Sequence, residues 1–134
     1  VSPTARSLAY LRAQGALAQV VERWVPQARR RVDLFGFIDI AAITMPDVED
    51  PDSLVFRRLV DGVLGIQTTT TGNLAHRLKK LRDECAPAMR RWLKASNRLE
   101  IHGWSKKGAR GKRKTWQLTV RTITLADLDS KEKV

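Results

Sequence analysis

The chain has one cysteine, Cys85, so it can build neither an internal disulfide nor a zinc cluster. No run of about 18 apolar residues occurs, which excludes a transmembrane helix. The opening stretch VSPTARSLAY has no basic n-region and no apolar h-region, so it does not read as a signal peptide. Internal repeats and low-complexity tracts are also missing. The expectation is a cytoplasmic protein with no membrane association. Acidic residues are scarce: 14 stand against 25 Lys and Arg, giving a net charge of +11 and a pI near 10.7.

That imbalance is the strongest compositional signal. A surface this basic attracts polyanions, and neutralising phosphates with release of counterions drives sequence-independent nucleic-acid binding. A ribosome-associated protein and a merely soluble basic domain are the blander readings. With 134 residues, 43% hydrophobic and 29% charged, the chain suits one domain, 1–134, with a single core.

Local patterns divide the chain. Residues 4–14 place Ala5, Leu8 and Leu11 on one helical face, and Gly15 closes that helix. Val-rich 17–25 reads as a strand stopped by Pro26, followed by a basic loop from Gln27 to Arg31. Residues 37–43 read as a buried strand interrupted by Asp39. An acidic surface insertion follows at about 45–53, then a short helix at 53–60 and a strand at 62–69. A helix begins near Asn73, with Leu74, Leu78, Leu81 and Cys85 on one stripe, and Pro87 predicts a kink or restart. Strands at 98–104 and 115–123 flank a basic loop, 105–114, and a short tail covers 125–134.

Two polar residues sit inside apolar strands. A carboxylate such as Asp39 is costly to bury unless it is paired, hydrogen-bonded or bound to metal. Its structural alternative is a strand-end residue capping a turn or pairing with one of Arg29, Arg30 and Arg31. Gln67 shares a strand face with Thr69 by period-two geometry; its alternative is an amide satisfied by neighbouring backbone. If the two strands are neighbours, Asp39 and Gln67 converge on one cation, with the Thr68 carbonyl as a third oxygen. An oxygen-only set suits Mg²⁺ or Mn²⁺, which activates water and stabilises charge on a scissile phosphate.

The succession of a helix, a strand, the strand FIDIAAI, the strand GIQTT and a helix resembles the PD-(D/E)XK nuclease superfamily, closest to its small Holliday-junction-resolvase-like branch. The resemblance covers about residues 4–123, through short motifs whose order carries the weight. It implies an α/β fold with a mixed central β-sheet flanked by helices. It places Asp39 as the motif aspartate and Gln67 as the motif glutamate, with Glu22 as a further metal ligand; Glu22 can equally be a solvated residue paired with an arginine. Three departures stand out. Ile38 occupies the proline position, and Gln67 keeps a ligand oxygen but drops a charge. Thr69 stands where a lysine would orient water, leaving His76, Lys79 or Lys80 on the following helix as replacements. Asp33, six residues before Asp39, is a further candidate, although a β-turn ending at Gly36 is the favoured reading of it.

The second candidate site is the basic loop. From Arg98 to Arg121 eight basic residues face one acid, Glu100. Lys106, Lys107, Arg110, Lys112, Arg113 and Lys114, with Trp104 and Trp116 flanking, can follow a phosphate backbone while an indole packs a sugar or base; Arg29, Arg30 and Arg31 add to this. The bland reading is a solvated hairpin tip. Trp24 and Trp92 read as core, and His102 as a packed residue. The expectation is a metal-dependent endonuclease that hydrolyses phosphodiester bonds in DNA, branched or junction DNA included, and the resemblance implies a homodimer. The rivals are a binding-only relative of the same fold and a structural subunit of a nucleoprotein assembly.

Overall fold

Ser2 caps the first helix: its hydroxyl accepts from the Ala5 amide at 3.1 Å, and Pro3 fills the first turn, where its missing N–H is no loss. The computed structural model describes residues 1–44 and 62–129. Helix α1 spans Pro3–Ala13 and ends in a Schellman motif, with Ala16 N–H donating to Leu11 O and Gly15, at φ 90°, to Arg12 O. The acidic insertion expected at 45–53 and the helix expected at 53–60 lie outside the described residues.

Strands β1 (Leu17–Val20), β4 (Ile40–Thr44), β5 (Gly62–Thr70), β6 (Arg98–Lys107) and β7 (Thr115–Ile123) form one five-stranded sheet in the order β1-β4-β5-β6-β7. The first three run antiparallel, β5 and β6 are parallel, and β7 returns antiparallel. Helix α2 (Leu74–Lys94) makes the β5-to-β6 crossover that a parallel pair requires. The chain is thus α/β, with a mixed sheet carrying α1 on one face and α2 on the other. Under α1 lie Leu11, Ala18, Ile40, Ala42, Leu64 and Ile66; under α2 lie Ile38, Leu78, Leu81, Met89, Leu99 and Ile101. Gly103 lets the β5–α2 turn press on β6, because a Cβ there would fall 2.9 Å from the Thr71 Cα.

Several sequence expectations need correction. The single strand expected at 17–25 splits at Val21 and Glu22: Arg23–Val25 (β2) leaves the sheet and pairs with Arg30–Val32 (β3) as a separate hairpin. The basic stretch 27–31 is therefore the tip and second arm of that hairpin, turned through Arg29 at φ 49°. Helix α2 runs unbroken through Pro87, which lies on its exposed side. Strand β6 extends to Lys107, so Lys106 and Lys107 are strand residues and the loop proper is shorter. The expected tail contains α3 (Leu125–Asp129), whose Leu128 enters the core and whose Asp127 carboxylate accepts from the Thr124 amide and hydroxyl ahead of it. No helix among the described residues is long and apolar enough to cross a membrane.

Candidate metal centre and nucleic-acid interface

Antiparallel pairing of β4 with β5 decides where Asp39 points. The strand expected at 37–43 begins only at Ile40, because Phe37 and Ile38 close the turn from Leu34, so Asp39 stands one residue ahead of it. The register Ile40↔Ile66 still sets Asp39 against Gln67, and the Asp39 amide donates to Ile66 O at 2.8 Å. The Asp39 side chain is only 4% exposed. Its Oδ2 accepts from Gln67 Nε2 at 2.7 Å, from the Thr68 amide at 2.8 Å and from Thr68 Oγ1 at 3.1 Å. Thr4 on α1 completes this chain: its Oγ1 lies 2.7 Å from Thr68 Oγ1, and since the latter proton is committed to Asp39, Thr4 is the donor. Thr68 thus meets the aspartate through its amide and hydroxyl.

A third carboxylate comes from Asp33, a further candidate in the sequence for which a turn is the favoured reading. Asp33 does open that turn, with Gly36 N–H donating to Asp33 O at 3.0 Å, but its carboxylate also approaches that of Asp39. Glu22, Asp33 and Asp39 bring one carboxylate oxygen each to within 4.8 Å of one another, an arrangement able to hold a metal ion. The hairpin explains why: Glu22 precedes β2 and Asp33 follows β3, so the register Arg23↔Val32 brings the two acids together at its base. Chain spacing alone carried no sign of this, because eleven-residue separation is uninformative until the hairpin register is known. Glu22 also meets Arg31 Nη1 at 3.5 Å, so the pairing alternative and membership of the cluster both hold.

Electrostatically the cluster is under strain. Burial first, then the hydrogen bond and charge of Asp33, raise the Asp39 pKa to about 8 despite the Thr68 donors. Gln67 is 2% exposed, and its Oε1 is buried without a hydrogen-bond partner. An orphaned amide oxygen on the side chain that donates to Asp39 is a group that a nearby cation would satisfy.

The remaining candidates are less concentrated. Thr69 is buried, and its Oγ1 accepts from Asn73 Nδ2 at 3.2 Å. His76, Lys79 and Lys80 are exposed on α2, and none of them figures among the influences on Asp39. Lys80 acts instead on Cys85, lowering a thiol pKa that burial, Glu84 and Asp33 raise. His102 is packed as expected, yet within a relay: its Nδ1 lies 2.9 Å from Ser7 Oγ and its Nε2 3.2 Å from Glu100 Oε1. Ser7 is fully buried and accepts from Trp104 Nε1 at 2.8 Å, so the relay ties α1 to β6 and offers no nucleophile.

Lys106, Lys107, Arg110, Lys112, Arg113 and Lys114 are all exposed, as are Arg29, Arg30 and Arg31. Gly108 is required at the loop, since a Cβ would stand 2.9 Å from Arg113 O. Trp104 is core, whereas Trp116 is 42% exposed, with the Arg6 guanidinium 3.8 Å above its ring. Trp24, expected in the core, is 56% exposed, because β2 leaves the sheet that would have buried it. Compared with known proteins, the chain matches no family model, no curated protein and no solved structure.

Proposed function

We propose that this protein is a Mg²⁺- or Mn²⁺-dependent endonuclease of the PD-(D/E)XK plan that hydrolyses phosphodiester bonds in DNA, branched or junction DNA included. The observation that carries the reading is the buried Asp39, set opposite Gln67, joined by Glu22 and Asp33, with the Gln67 oxygen left unsatisfied. Support also comes from element order once the β2–β3 hairpin is set aside: helix, strand, the strand that Asp39 precedes, the strand of Gln67, helix and parallel strand, in a mixed sheet with helices on both faces. The exposed basic loop supplies the phosphate-binding surface.

In this reading Asp39, Glu22, Asp33 and Gln67 hold the ion, with the Thr68 carbonyl as a further oxygen. When bound, a divalent ion supplies an activated water and charge stabilisation at the scissile phosphate. Thr4 and Thr68 fix the Asp39 carboxylate through the hydroxyl chain. Thr69 cannot provide the cation that a lysine would, so Lys79 or Lys80 has to reach the substrate from α2.

The test is cleavage of linear, nicked and four-way-junction DNA across Mg²⁺ and Mn²⁺ titrations. Wild type should cut, and Asp39→Asn should lose roughly a hundredfold or more in rate while DNA affinity holds or rises slightly. Gln67→Glu should tighten metal binding. A second reading, binding without chemistry on the same fold, is favoured by the Thr69 hydroxyl being tied to Asn73. It wins if wild type binds these DNAs tightly and cuts none of them with either metal. The implied homodimer is checked by sedimentation equilibrium.

A further inference from the structure

Of the four tryptophans, three are held within the molecule. Trp92 donates from Nε1 to Arg98 O and meets Phe35 and Phe37; Trp104 donates to Ser7 and meets Tyr10; Trp116 lies under Arg6. Trp24 is 56% exposed, and among the described residues no ring or cation stacks on it. A ring of that size left to water on an arm outside the sheet contributes nothing to the core.

Its position is specific. In the β2–β3 hairpin Trp24 pairs with Arg31, and Arg31 in turn reaches Glu22, so Trp24, Arg31 and Glu22 share one face by period-two geometry. Glu22 and Asp33, at the base of the same hairpin, belong to the acidic cluster. Arg23, Arg29, Arg30 and Arg31 are exposed along its arms and tip. An aromatic face, four cations and two of the three clustered carboxylates therefore belong to one hairpin and its base.

We propose that the β2–β3 hairpin binds an unpaired nucleotide next to the acidic cluster, with the Trp24 indole stacking on the base and the hairpin arginines on the flanking phosphates. The inference rests on the reading of that cluster as a nucleic-acid site and narrows its substrate class to strands with an accessible base. Arginines alone would serve duplex and single strand alike, because phosphates carry no pairing information. An indole can stack only on a base whose face is free, which intact duplex does not offer. The surface supplies one aromatic step, suited to a gap, bulge, flap or single strand.

The test measures affinity in chelator, with no divalent metal and no cleavage, by fluorescence anisotropy of a labelled single strand, its perfect duplex and a duplex with one bulged nucleotide. Trp24→Ala should weaken single-strand and bulge binding by about tenfold while duplex affinity changes by less than about twofold, and Trp24→Phe should restore most of the loss. Since the ring is exposed, the variant should melt like wild type, which a thermal scan verifies. A single-strand loss less than about five times the duplex loss overturns the inference. Absence of cleavage in the metal titrations would defeat the nuclease reading and leave this result intact. Conversely, cleavage with no role for Trp24 would defeat only this inference.

Discussion

At the residue scale, Asp39 is the most consequential side chain, and its proton gives it a signature. Its folded pKa is raised to about 8 from the ordinary carboxylate value of 3.8, so the folded, metal-free state holds a proton that the unfolded chain releases. The stabilisation is fully present below the unfolded value and is lost as pH rises through about 8. Thermal midpoints in chelator should therefore fall between about pH 5 and about pH 8.5, by several degrees, and Asp39→Asn should flatten that dependence. The aspartate and its glutamine partner were legible as polar residues in apolar runs. Asp33 was legible only as a lesser candidate, because its backbone role in a turn is local and its side-chain role depends on a hairpin register.

At the element scale, α1 is tied to β6 by a buried polar relay that the sequence did not disclose. Trp104 donates to Ser7, Ser7 lies against His102, and His102 meets Glu100, spanning a sequence separation of 95 residues between Ser7 and His102. The ordering that satisfies every proton has Ser7 donating to His102 Nδ1 and Nε2–H donating to Glu100. Tyr10 closes the group edge-on to both His102 and Trp104. Ser7→Ala should leave two buried groups without partners and lower stability by about 1–3 kcal/mol. The check is urea unfolding, where the midpoint should drop with the slope unchanged. Because α1 also presents Thr4 to the Asp39 network, loosening this relay should weaken metal binding as well.

At the scale of the whole molecule, the basic excess behind the net charge of +11 is concentrated on the two hairpins and α2. The β6–β7 loop carries the densest part. Neutralising Lys106, Lys107, Lys112 and Arg113 together should weaken binding to unrelated DNA sequences about equally. The log–log salt dependence should flatten by roughly one unit for each phosphate that is no longer neutralised. Unchanged affinity and slope would make the loop a solvated tip. The two hairpins should therefore separate by assay: salt slope reports on the β6–β7 loop, and discrimination between single strand and duplex reports on β2–β3.

Composition and local pattern determined the class of this protein: a basic α/β domain whose helices, central strands and odd polar residues can be read from period and punctuation. Asp39 and Gln67 stood out because burying polar groups is costly, and a short apolar strand advertises them. Tertiary structure decided the rest. Whether residues 17–25 form one strand or two depends on which partner each half finds, and the hairpin pairing of Arg23–Val25 with Arg30–Val32 wins. That pairing gathers Glu22 and Asp33 at Asp39 and turns Trp24 out to water. Side-chain convergence is a property of register between distant segments, and a single sequence carries no record of register.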